Sequence, residues 1–94
     1  MNVVWSQEAR SNVRSIGDYV GQHDPIAAQQ VVAAIDRLVH RLREYPKIGR
    51  RRDLPTRGAV EPRYRYVVRY ALVPNEDRPD TLIVLSVWHP KRQR

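Results

Sequence analysis

His89 is the one histidine in the second half of the 94-residue chain, and it stands between Trp88 and a short cationic end, Pro90 to Arg94. With Arg57 and Arg92 it makes the most reactive set that the residue types offer. Cleaving RNA through a ribose 2′-hydroxyl needs a base for that proton, an acid for the leaving oxygen and cations for the phosphorane charge. Arginines fill only the last of these roles, because they stay protonated in proteins. His89 fits the first two, with an ordinary pKa of about 6.5, or it is a ring packed at a strand end with one nitrogen bonded to backbone. The structural reading ranks first, since no partner carboxylate or phenol can be placed beside it from the sequence. His23 and His40 read as surface residues, and three scattered histidines without cysteine give no metal-ligand spacing. No phosphate loop, nucleophile elbow or dinucleotide fingerprint is present, so no metal and no cofactor are expected.

The remaining candidates are cationic. Residues 1–45 balance five arginines against five acids, whereas residues 46–94 carry twelve Lys and Arg against five acids, so the whole excess of the net +7 charge lies in the second half. Such asymmetry fits a basic surface facing nucleic acid, a nucleic-acid enzyme or an acidic protein. Arg50-Arg51-Arg52 reads as a solvated loop, given the adjacent Asp53. Strand alternation puts Arg63, Arg65 and Arg69 on one open face, with Val67 and Ala71, and Tyr64, Tyr66, Val68, Tyr70 and Leu72 on the core face. Arg57 stands open between a catalytic role and an ion pair tying sheet to helices.

Asn2 to Trp5 reads as a short strand, and Ser6 caps a helix whose Ala9, Val13, Ile16 and Val20 recur at helical spacing. Gly17 is expected to permit a close helix contact and Gly21 to end the element. Asp24-Pro25 restarts a helix with the stripe Ala28, Val31, Ile35, Leu38, Leu42 and Tyr45, which Pro46 stops. A three-residue loop between the helices implies an antiparallel hairpin. Three strands follow, a weak one over 57–61 and strong ones over Tyr64–Val73 and Thr81–Trp88, the last two joined by the polar segment 74–80. The expected fold is α+β, β-α-α-β-β-β, with the hairpin on one face of a small, twisted, mainly antiparallel sheet. Ile26, Val32 and Val39 flank the main stripe of the second helix and are expected to leave apolar surface for a partner. One domain over 1–94 and a cytoplasmic address are expected, with no apolar run long enough for a membrane helix.

Several of these pieces together resemble the RelE/ParE toxin superfamily. They are Val4-Trp5-Ser6 with Ala9, Tyr19 with Asp24-Pro25, Tyr45-Pro46 to Gly49-Arg50, Thr56-Arg57, Pro62-Arg63-Tyr64, Tyr66-Val67-Val68 with Tyr70, and Val87-Trp88-His89 with Arg92. The resemblance implies a toxin neutralised by a cognate antitoxin, with a higher-order complex of the two possible in principle. Its ParE-like branch inhibits DNA gyrase; its RelE-like branch cuts messenger RNA on the ribosome. The ribonuclease branch commonly carries a charged residue where this chain has Tyr66 and Val67, and a tyrosine or histidine near the end where Pro90 follows His89. That departure ranks the gyrase reading first. The expected target-binding set is Arg57, Arg63, Arg65, Arg69, His89, Lys91, Arg92 and Arg94, the antitoxin-binding set is Ile26, Val32 and Val39, and a ribonuclease would draw on Arg57, His89 and Arg92.

Overall fold

Ser6 opens the first helix because its hydroxyl accepts the Ala9 N–H at 3.0 Å, satisfying one of the amides that a helix start leaves without a partner. The computed structural model describes residues 1–51 and 55–92. Strand β1 (Asn2–Trp5) leads into α1 (Gln7–Gly21), and α2 (Pro25–Glu44) follows after three residues. Asp24 Oδ1 accepts from the amides of Ile26 and Ala27, and Pro25 sits where an N–H would have gone unused. The strands β2 (Arg50–Arg51), β3 (Thr56–Val60), β4 (Val67–Val73) and β5 (Thr81–Trp88) complete the chain's described order.

The sheet runs β1-β5-β4-β3-β2, with β1 parallel to β5 and the other neighbours antiparallel. The α+β architecture is as expected from the sequence, with one strand more. Arg50 and Arg51, read as loop, pair with Gly58 and Arg57 as a two-residue edge strand. The core lies between the helices and one sheet face: Val31, Ile35, Leu38, Val39 and Leu42 of α2 meet Ala59, Val68, Tyr70, Leu82, Val84 and Val87. Burying each of the larger side chains stabilises by roughly 1.5–3 kcal/mol.

Several expectations are corrected. Strand β4 begins at Val67 rather than Tyr64, because the chain first turns through 61–66: the Glu61 carboxylate accepts the Tyr64 N–H, the Arg65 N–H donates to the Glu61 carbonyl, and Arg65 takes φ 69°. Arg63 and Arg65 therefore lie on this turn, and the strand face keeps only Arg69 of the three, with Val67 and Ala71, expected to be open, buried beside it. Tyr45 is 59% exposed, since α2 ends at Glu44 and Tyr45 adopts a non-helical cap conformation. Val39 is only 3% exposed and belongs to the core, so it leaves no apolar surface for a partner. Gly17 is not required for helix contact, because a Cβ there would meet Val32 Cγ2 at 3.6 Å, an ordinary distance. Gly21 is the last helical residue as expected, but without a left-handed cap: Gln22 stays right-handed and donates to Asp18 and Val20 carbonyls.

A register shift in the β4–β5 ladder carries the most weight for the site. Tyr70 pairs with Val84, yet Arg69 pairs with Ser86, so β5 holds one extra residue there. Helix α1 pins this bulge from both sides. Ser6 Oγ donates to the Leu85 carbonyl at 2.9 Å, and Asn12 Oδ1 accepts the Val87 N–H at 2.9 Å.

Candidate functional site

Beyond the bulge, Val67 pairs with Trp88, which brings Tyr66 and His89 together where the two strands leave the sheet. The His89 ring meets the Tyr66 ring edge-on at 5.0 Å, and His89 Nδ1 accepts the Lys91 N–H at 3.1 Å. The chain then turns back, the Arg92 amide donating to the His89 carbonyl at 2.9 Å. That turn sets the Arg92 guanidinium 4.6 Å from the Tyr19 ring centroid and 5.3 Å from that of Tyr66, and it donates to the Tyr66 hydroxyl. Two tyrosines from different elements thus hold one cation by their ring faces.

Asn12, Ser15 and Ile16 of α1 close the far wall, leaving an open cleft of about 600 Å³. Its lining holds hydroxyls, an imidazole and a guanidinium, and no Asp or Glu among the described residues. With Nδ1 accepting, the neutral His89 ring carries its proton on Nε2 and presents a donor. The cleft is therefore built to receive a group that accepts hydrogen bonds or carries negative charge. Among the described residues no cluster of three His, Asp or Glu could hold a metal ion.

The other cationic candidates disperse. Arg57 Nη1 donates to the Gly49 carbonyl at 2.9 Å and to the Lys47 carbonyl at 3.4 Å, tying the segment after α2 to the sheet. Both contacts are to backbone carbonyls of that segment and not to an acid. Beside it the buried Tyr70 hydroxyl donates to the Pro46 carbonyl at 2.6 Å and accepts the Gly49 N–H at 3.0 Å. Burial pushes the Tyr70 phenol above its ordinary pKa, against the Gly49 N–H and the Arg57 charge, which both lower it. Arg63 lies over its neighbour Tyr64, Arg65 is exposed on the turn, and Arg69 sits on the opposite sheet face from Tyr70. Lys91 is exposed beside the cleft, and Arg94 lies outside the described residues.

Of the residues singled out from the sequence, then, the structure gathers His89 and Arg92. It adds Tyr66, assigned to the core, and Tyr19, quoted only for resemblance. Tyr66 meets both descriptions, since its ring is buried while its hydroxyl reaches the cleft. Hairpin register is the signal that could have found it, and a regular hairpin counted back from Val73 opposite Thr81 would have placed Trp88 there instead.

A second depression lies between the outer sides of the helices, about 440 Å³ and mainly apolar, with Trp5, Val13, Gly17, Ala28 and Val32 in its walls. Ile26 stands 68% exposed on α2, and Val32 lines the groove itself.

Two helices on one face of a mixed five-stranded sheet, with a cationic C-terminal end folded against the first helix, define a class of small basic α+β proteins. Residues 3–94 match the family model for the ParE toxin of the type II toxin–antitoxin system parDE. The chain is 37% identical over 70 residues to toxin RelE2 of Caulobacter vibrioides, covering 72% of this chain and 76% of that one. It is 33% identical over 90 residues to Y4kP of Sinorhizobium fredii, covering 95% and 88%. The structure described as the chromosomal ParDE toxin–antitoxin system from P. aeruginosa superposes with a TM-score of 0.78 over 95% of both chains at 19% identity, a likeness of fold. The chain belongs to the ParE toxin family of type II toxin–antitoxin systems, within the RelE/ParE superfamily.

Proposed function

We propose that this toxin acts in the manner of the ParE branch, binding and inhibiting DNA gyrase, and that a cognate antitoxin silences it. The observation that carries the reading is the chemistry of the cleft: a donor imidazole, a bound guanidinium and two phenols, with no carboxylate among the described lining residues to act as base. Binding suits such a set better than proton transfer does. The match of nearly the whole chain to the ParE family model supports it. The antitoxin segment docks on the apolar groove between the helices, with Ile26 and Val32 among its contacts, because an exposed apolar groove on a small protein is a binding surface by preference.

One observation favours the runner-up, cleavage of messenger RNA on the ribosome: the Tyr66 phenol beside His89 supplies the partner group that such an enzyme needs. A single pair of assays separates them. Purified toxin is expected to block supercoiling by gyrase, or to accumulate cleaved DNA, while messages in translating ribosomes stay intact. Site-specific cuts in those messages, with gyrase unaffected, would establish the ribonuclease reading instead.

A further inference from the structure

Asn12 stands in the middle of α1, where an amide side chain is a poorer helix former than alanine or leucine. Its Oδ1 accepts the Val87 N–H at 2.9 Å, beside the β5 bulge. That bond fixes which way the amide is turned. The acceptor faces β5, so Nδ2 carries the donors on the side left over. Asn12 lines the cleft, and no described residue accepts from its Nδ2.

Tyr66 and His89 are turned by the same logic. The Tyr66 hydroxyl oxygen accepts from Arg92, which leaves its own hydrogen to donate. His89 Nδ1 accepts the Lys91 N–H, which leaves the Nε2–H. Arg92 keeps N–H groups beyond the one it gives to Tyr66, and its charge stays against the Tyr19 and Tyr66 rings. Donors from α1, from the residue before β4 and from the end after β5 therefore line one cleft, with no carboxylate among the described lining residues to receive them. Such a set matches oxygen acceptors, and at the guanidinium an oxyanion. Asn12 and Tyr19 lie about 10 Å apart along the axis of α1. An anion held at the Arg92 end thus leaves the Asn12 amide for a second acceptor on the same ligand.

We infer that the cleft takes an extended acidic segment of the toxin's protein target, with a side-chain carboxylate on Arg92, Tyr66 and His89 and a backbone carbonyl on the Asn12 amide. The inference rests on the proposal that the target is a protein, DNA gyrase, and adds Asn12 and Tyr66 to the residues that contact it. Ile16, between the polar residues of the α1 wall, suits the methylene stem of an acidic side chain. A sugar–phosphate backbone repeats its charge at every unit and has no such stem.

Asn12→Asp separates binding from folding. The carboxylate keeps an oxygen for the Val87 N–H but puts an anion where the Nδ2 donor faced the incoming carbonyl. Thermal melting should stay near that of the wild type and the Tyr66–His89 ring contact should persist in NOE spectra, while affinity for purified gyrase falls about tenfold or more. Asn12→Ala, which loses both bonds, should melt lower and bind as weakly. Ser11→Asp, exposed on α1 outside the cleft, carries the same added charge and should bind as the wild type does. Wild-type affinity in Asn12→Asp, or an equal loss in Ser11→Asp, would overturn the inference and leave Asn12 as a support for the bulge.

A second measurement depends neither on a variant nor on gyrase. Wild-type toxin titrated with N-acetylglutamate N-methylamide should show NMR shifts of the Asn12 side-chain amide and the His89 ring. Shifts with inorganic phosphate and none with the glutamate probe would give the site to a phosphate, such as one on a nucleic acid. No shift with either probe would overturn the site. Should the wild-type toxin fail to bind gyrase, the gyrase reading falls, and shifts with the glutamate probe would still uphold a site for an acidic segment.

Discussion

Tyr70 shows how a single hydroxyl can organise a segment that has no regular structure. It ties Pro46 and Gly49 to the middle of the sheet, and a Cβ at Gly49 would run into that hydroxyl. Tyr70→Phe strands a part-buried carbonyl and a buried N–H, so urea unfolding should show a loss of about 1–3 kcal/mol. The variant also tests the ionisation. With a folded-state pKa raised above the ordinary 10.0, the native protein holds the phenolic proton more tightly than the unfolded chain. Stability from this group is then complete below pH 10 and falls as pH rises through the folded-state value. The alkaline loss of stability attributable to this phenol should vanish in the Phe variant, and an unchanged profile would show that other tyrosines produce it.

At the scale of elements, α1 is the part on which both surfaces depend. One side of it walls the apolar groove with Val13 and Gly17, and the other supplies Asn12, Ser15 and Tyr19 to the cationic cleft. Its first turn also holds the β5 bulge. Ser6→Ala removes the N-cap, worth about 1 kcal/mol, and leaves the Leu85 carbonyl without its donor. A denaturation midpoint unaltered by that change would show that the bulge is fixed by the sheet alone. Gly17→Ala tests the groove in the opposite sense. The added methyl meets Val32 at ordinary distance and improves helix propensity by up to about 1 kcal/mol. The free toxin should therefore melt slightly higher while the antitoxin, measured by calorimetry, binds more weakly to a narrowed groove. Equal or tighter antitoxin binding would place its segment elsewhere.

Across the whole molecule the two halves of the chain meet at Arg92, which joins the C-terminal end to α1 through Tyr19 and to the residue before β4 through Tyr66. By composition alone, a five-residue terminus with three cations has little apolar surface to bury, so its removal should cost little stability. The contacts alter that expectation. Cation–π pairs contribute roughly 0.5–2 kcal/mol each, so deleting residues 90–94 should lower the melting temperature measurably. Toxicity should fall sharply while antitoxin capture in a pull-down persists, because the cleft and the groove lie on different sides of α1. Loss of antitoxin capture in a truncation that still folds would show that the two surfaces are one.

Local physics was enough for much of this. The caps at Ser6 and Asp24-Pro25, the α2 stripe from Val31 to Leu42 and the β-rich run Thr81–Trp88 are legible because each depends on neighbours within a few residues. The strand reading failed first where a nearby side chain competes with propensity for the backbone. Tyr64 to Tyr66 has the composition of a strand, yet the Glu61 carboxylate draws its backbone into a turn, and the same turn carries Arg63 and Arg65 off the sheet. Arg50 and Arg51 look like loop and become an edge strand only because β3 lies beside them. The candidate site turned on one inserted residue. With the bulge at Leu85 and Ser86, Tyr66 faces His89; without it, Tyr66 would face Trp88 and the cleft would lack its imidazole. No pattern in β5 announces that residue, because the bonds that hold it come from Ser6 and Asn12, some eighty residues earlier in the chain, and exist only once α1 is packed against the sheet.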